Sequence, residues 1–541
     1  MRVPFAKPAF PTRRHVAGGL AAAFALMATR DTSLHMAQGP ALPGGLPAWD
    51  PEEMALLSAR LRAQPLDVRR FGARGDGNAI DTRAINRAIA AARSGQTIYF
   101  PDGIYLVDNS DLQNGGASST IPLPIGVNLL MEPGAWLKRA PSDRGGPNFI
   151  TPTGSNLVQC NLDGDEFPRA GGMAGNWSEA ECVGIYAADA ADIVVVNSQF
   201  RHLTYGIEAH GLSSWRIVNC AFERIKLSGC LLRGSTGMAA VRNLVRDCRF
   251  FAMGDTAVAL HYLTGDAVVA YNLVEDCTAR DTQMRVDGYA FDVEGAYRRG
   301  THHHNLFRRL VVEQNTVSGF VQGGATINKN SSDSMIVECQ LRGNGAANGI
   351  GISIIETDGV QLINNRIQGF AANAIYADGA HRAEISGNTI VDSGDGASLE
   401  RSTILLALAE GSRGARVINN TISWSGPNLR RGLAGAAIAG RSYMLNGIDN
   451  LVVRGNVIRN AVGAGILVED RSSLASVNAI AVEGNTVVAG TDGVDAVAVR
   501  GAANVRIHRN RIAGTGARID TTGSSGLVAT ENSLEPLSGS I

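Results

Sequence analysis

The chain is short of aromatic residues, at 6% of 541, and of charged residues, at 18%; that composition does not suit long surface helices laced with ion pairs. It also lacks a charge excess of either sign. Lys and Arg number 49 against 50 Asp and Glu, for a net charge of −1, so no global field draws in nucleic acid or an anionic membrane. The seven cysteines are odd in number and match no zinc-ligand spacing. Disulfides are not needed to explain them, and small buried hydrophobes are the expected role. Glycine, by contrast, is abundant, with 64 residues, which favours short strands and tight turns.

Thr12-Arg13-Arg14-His15-Val16 followed by the apolar run Ala17 to Ala28 has the layout of a twin-arginine export signal. The run is about a dozen residues long, against roughly 20 for a bilayer span, so a cleaved signal over residues 1–37 is expected rather than a membrane anchor. A periplasmic or secreted location follows. Residues 38–65, with Gln38-Gly-Pro-Ala-Leu-Pro-Gly-Gly-Leu-Pro47, read as a linker.

From about residue 155 one phrase recurs: aliphatic residues, a polar residue, then Asn, Cys or Ser, then a polar and an apolar residue. Examples are Leu157-Val-Gln-Cys160-Asn-Leu, Ile217-Val-Asn-Cys220-Ala-Phe, Leu362-Ile-Asn-Asn365-Arg-Ile and Val417-Ile-Asn-Asn420-Thr-Ile. The marker slot is assigned to Ser198, Cys220, Cys248, Cys277, Asn315, Cys339, Asn365, Asn388, Asn420, Asn456, Asn485, Asn510 and Asn532. Spacings run from 22 residues (Ser198 to Cys220) to 38 (Cys277 to Asn315). Periods of this length with alternating strands predict a parallel β-solenoid in which each coil touches only its neighbours. An asparagine amide can bond its counterpart one coil away, about 4.8 Å off, and cysteine is expected to fill the same volume where no bond is required.

The predicted fold is therefore all-β, a single right-handed parallel β-helix, with repeats over 151–541 and an N-terminal cap and first coils over 66–150. In the cap, an amphipathic helix over Asp81–Ala92, N-capped by Asp81, presents Ile85, Ala88, Ile89 and Ala92 on one face. It is placed to plug the open end of the first coil.

Phe71-Gly-Ala-Arg-Gly-Asp-Gly-Asn-Ala-Ile-Asp81-Thr, this helix, and Phe100-Pro-Asp-Gly-Ile-Tyr105 resemble the start of the pectate-lyase-type β-helix superfamily, which includes polygalacturonases, rhamnogalacturonases, alginate C5-epimerases and phage tailspikes. The resemblance is close over 67 to about 140 and continues through the repeat. It implies a polysaccharide partner outside the cytoplasm and is specific for fold more than for reaction.

Outward side chains of adjacent coils stack into columns, so a site should be a column. Aligning Gly206-Ile-Glu208-Ala-His210, Gly229-Cys-Leu-Leu-Arg233, Ala257-Val-Ala-Leu-His261 and Ala290-Phe-Asp292-Val-Glu294 collects Glu208, His210, Arg233, His261, Asp292 and Glu294 on one outward face. A one-residue slip would bury those charges. Tyr289-Ala-Phe-Asp292 resembles the Tyr-Gly-Phe-Asp-Pro-His motif of the alginate epimerases, whose tyrosine, aspartate and histidine serve proton abstraction at C5. Val293 and Glu294 replace that motif's proline and histidine, and His261 lies near the place of a lysine those enzymes carry one coil earlier.

His261, Tyr289, Asp292 and Glu294 are thus the candidate catalytic groups. Glu208, His210, Arg233, Trp177 and His304 are the candidate substrate contacts, Arg233 for a carboxylate and Trp177 for stacking on a sugar. His302-His303-His304 is expected on a loop over the column. Ca²⁺ could be bridged by Asp287, Asp292 and Glu294, although no metal spacing is diagnostic. The chemistry expected is a lyase or C5-epimerase acting on a uronate-containing polysaccharide. An inverting glycoside hydrolase and a non-catalytic carbohydrate-binding envelope protein are the alternatives.

Overall fold

In a computed structural model of the chain, the described residues run from 51 to 535, apart from 63–64, 109–118, 142–147, 165–181, 236, 263–266, 283–288, 296–300, 315–322, 396–400, 407–410, 426–434, 443–446, 462, 473–475 and 490–494. The export-signal region and Trp177, Asp287 and Asn315 lie outside them.

The chain winds as a right-handed parallel β-helix of three sheets, every strand pairing with its counterpart one coil away. One coil shows the plan: Tyr205–Ser213 in the third sheet, Arg216–Val218 in the first, Ala221–Glu223 in the second, then Cys230–Gly234 back in the third. Inward residues form one continuous core from Val68 to Ile512. The constant rise between coils stacks like on like: Phe200, Phe222 and Phe250 lie ring on ring at 4.7 and 4.8 Å, an aromatic ladder at the interstrand spacing.

The turn between the first and second sheets carries the repeat marker. The residue before it is left-handed, as at Asn219, Asp247, Asp276, Glu338, Asn364 and Asn419, which side chains other than glycine, Asn and Asp rarely adopt. Stacking compensates. From Asn365 to Asn532 each buried amide nitrogen donates to the next asparagine's oxygen at 2.9–3.0 Å, and that oxygen also accepts the backbone N–H.

The structure corrects the marker list and the role given to cysteine. The coil between Cys277 and Cys339 places Leu310, fully buried, in the slot two residues after the strand Leu306–Arg308, which evens the two flanking intervals and removes Asn315 from the series. The thiols are not mere filler either. Cys220, Cys248, Cys277 and Cys339 each donate to a backbone carbonyl two residues back at 3.2–3.3 Å and face one in the preceding coil at 3.6–3.8 Å. A second ladder, Asn243, Asn272 and Asn305, lines the turn before the first sheet.

The helix forms over Thr82–Ala91 and buries Ile85, Ala88 and Ile89 in the core. Asp81 stands at its N-cap without a side-chain capping bond. Its carboxylate accepts instead from the backbone N–H of Arg74 and Gly75 at 2.7 and 2.9 Å, fastening the preceding loop. Within the stretch read as a linker, Pro51–Leu61 is helical and sets Leu57 and Leu61 against the outer face of the first sheet.

Candidate active site

Backbone pairing in the third sheet aligns His210 with Arg233, Arg233 with His261, and His261 with Glu294, the register expected from the sequence. Phe291 and Val293 point into the core, so Asp292 and Glu294 point out. Asp292 pairs with Ala259 below it. That small neighbour leaves room for the His261 ring to reach diagonally to the carboxylate, with Nε2 2.9 Å from Oδ2.

Asp292 is 6% exposed, and its Oδ1 has no hydrogen-bond partner. Burial pushes this carboxyl up to about 6, against the pull of His261. Burial is the largest single influence on the His261 imidazole and lowers it, but the charge and hydrogen bond of Asp292 together with the charge of Glu294 outweigh it, and the net direction is up. Burial also pushes the Tyr289 phenol well above its ordinary range, and the charges of Asp292 and Glu294 add to this. The Tyr289 ring lies against the next coil at Gly323, where an added Cβ would sit 1.8 Å from it; only glycine leaves that place open.

Toward the N-terminus of the column, Glu208, also buried, accepts from Arg233 Nη1 at 2.9 Å and lies 3.0 Å from His210 Nε2. Toward the C-terminus stands a residue the sequence analysis missed. Lys329 Nζ donates to Glu294 Oε1 at 2.7 Å. It gets there through a bulge: the strand Gly323–Ser332 shifts register between Asn328 and Ser331, with Lys329 and Asn330 both left-handed at φ 48° and 56°. The polar run Asn328-Lys-Asn-Ser331 breaking an apolar alternation was the available signal.

The histidine run is not a loop over the column. Thr301–His303 is a strand, with His302 fully buried against Tyr262 at 4.7 Å and pushed down to about 3 by burial. His304 stacks on Tyr271 at 5.0 Å, with its Nδ1 3.0 Å from that of His303. These contacts hold His304 at the turn that follows the strand, beside Tyr271 and His303.

Among the described residues, the one group of three potential metal donors is His261, Asp292 and Glu294, within 4.8 Å of one another. Asp287, the third acid of the calcium set expected from the sequence, lies outside the described residues. An imidazole donor suits zinc-like ions better than calcium, and both acids already hold partners in His261 and Lys329.

A family model described as right handed beta helix region matches residues 176–350 and 348–535. The chain belongs to that family. A second model, rhamnogalacturonase A/epimerase, pectate lyase-like, matches residues 66–116. No curated protein matches the chain. Among solved structures, it is similar to the mannuronan C-5 epimerase AlgE4 A-module of Azotobacter vinelandii, at 17% identity over 75% of this chain and 98% of that one, TM-score 0.43. It is also similar to the tailspike protein 3 of bacteriophage CBA120, at 10% identity over 89% of this chain and 62% of that one, TM-score 0.47. A third is an exopolygalacturonase of Thermotoga maritima, at 10% identity over 75% and 96%, TM-score 0.35.

Proposed function

We propose that the protein is an exported enzyme that processes a uronate-containing polysaccharide by removing the C5 proton of a uronate unit. The observation that carries this reading is the His261–Asp292 pair at 2.9 Å beside Tyr289, flanked by the cations Arg233 and Lys329. Arg233 and Lys329 hold the uronate carboxylate and stabilise the negative charge that spreads onto it when C5 loses its proton. Neutral His261 takes that proton, and Asp292 orients the ring and stabilises the imidazolium formed. Tyr289, kept neutral by its raised pKa, is the proton donor. Donation to C5 from the opposite face gives epimerisation. Donation to the departing O4, with cleavage of the C4–O4 bond and formation of the C4–C5 double bond, gives lysis.

A second reading is glycoside hydrolysis, favoured by one observation: a carboxyl raised to about 6, as at Asp292, suits a general acid. Incubation with alginate, pectate and glycosaminoglycans in deuterated water separates the readings. Deuterium at C5 with no new ends marks epimerisation, new reducing ends with ultraviolet-absorbing unsaturated sugars mark lysis, and reducing ends alone mark hydrolysis. Binding without any of these leaves the carbohydrate-binding protein.

A further inference from the structure

Immediately beyond Lys329 the outer surface sinks into a depression of about 440 Å³, within the roughly 300–1,000 Å³ of small-molecule sites. Its walls include Asn330, Ser332, Glu356, Thr357, Asp358 and His381. Ser332, Asp358 and His381 are register partners on three successive coils, a span of about 10 Å, enough for one to two hexose units along the helix axis.

The depression is polar in a particular way. His381 Nδ1 is buried without a hydrogen-bond partner. Asp358 is occupied by a two-bond pair with Arg382 at 2.6 Å. Glu356 has no hydrogen-bond or ion-pair partner among the described residues, and its charge is felt by Lys329 and Tyr262, which ties the depression to the column. The two adjoining stretches therefore differ in sign. Lys329 and Arg233 attract a carboxylate, while the open carboxylate of Glu356 repels one and accepts hydroxyl donors.

Resting on the proposed function, we infer that this depression is a binding site for an uncharged pyranose next to the reactive uronate, so that the substrate is a heteropolysaccharide in which uronate and neutral sugars alternate. Glu356 accepts from vicinal hydroxyls, and His381 and Asn330 complete the hydrogen bonding.

The test is calorimetric titration of the full chain and of His381→Ala and Glu356→Gln, with folding checked by circular dichroism. The probes are cellotetraose, mannotetraose, galactotetraose and chitotetraose, with tetragalacturonate and tetramannuronate titrated in parallel. The inference expects at least one neutral probe to bind the wild type and to bind both variants about tenfold more weakly or worse, the loss of a charged or buried hydrogen bond, with uronate binding not weakened. It is overturned if no neutral probe binds the wild type, or if either variant binds the neutral probes as tightly as the wild type does. The proposed function has its own arm: uronate probes should bind the wild type and be weakened in Lys329→Ala, and failure there leaves the neutral-sugar result to be read by itself.

Discussion

The two halves of the solenoid solve one turn with different chemistry. From Asn365 onward the marker slot holds an unbroken asparagine ladder with short amide bonds, whereas from Cys160 to Cys339 it holds one serine, one leucine and thiols whose bonds are longer and weaker. The candidate active site lies wholly in the second kind of half, on the third sheet. The same sheet in the asparagine half presents an outward apolar cluster in which Leu405, Ala439, Leu467 and Ala498 occupy the positions continuing the Asp292 column. At this turn, amide stapling and the ionisable column are thus segregated along one axis, so stability and activity should respond separately to substitution there.

The largest separation is expected at His261. His261→Ala should lower turnover of a uronate polymer by about 10²- to 10⁴-fold, the usual size of a general acid–base contribution, with the thermal unfolding profile little changed. Equal loss of folding would erase the contrast. Next comes Asn420→Ala, which removes a fully buried amide and orphans its partners in both neighbouring coils. Denaturant unfolding should show a loss of about 3 kcal/mol, with turnover at 25 °C unaffected.

A displacement, rather than a loss, is expected for pH. The reactive His261 must be neutral, and Asp292 raises its pKa, so the acid limb of the wild-type rate profile should lie above pH 6.5 and move to lower pH in Asp292→Asn. The same substitution tests stability. Asp292 titrates at about 6 in the fold against 3.8 unfolded, so it favours the folded state fully below pH 3.8, and that contribution is lost as pH rises to about 6. Asp292→Asn should therefore gain on the wild type in unfolding midpoint across that window. The smallest effect belongs to the thiol half: Cys248→Ala should cost about 1 kcal/mol, because a weak thiol bond and one sulfur are lost. A cost equal to that of Asn420→Ala would show that the two ladders are equivalent.

The outward column was legible because two periodicities coincide, the alternation along a strand and the recurrence of the coil, and burying six ionisable groups would have been prohibitive. Irregular features broke that reading. Leu310 escaped because a marker slot filled by an apolar residue looks like strand, and Asn315 offered a false substitute a few residues on. Lys329 escaped because the polar run that marks its bulge, Asn328-Lys-Asn-Ser331, also reads as an ordinary turn. The histidines were misplaced because the third sheet splits into two strands in that coil, Tyr289–Gly295 and Thr301–His303, and a short second strand reads as loop. Asp81 was correctly set at a helix start, but a carboxylate can serve the loop before a helix as well as the helix itself.

The central claim is that the His261–Asp292 pair moves a uronate C5 proton. The most direct measurement is deuterium incorporation at C5, together with unsaturated-end formation, when wild type and His261→Ala are incubated in deuterated water with alginate, pectate, hyaluronan and chondroitin. The account predicts exchange or unsaturation on at least one of these with the wild type and its disappearance with His261→Ala. Reducing ends without either signal, or equal activity in the variant, would contradict it.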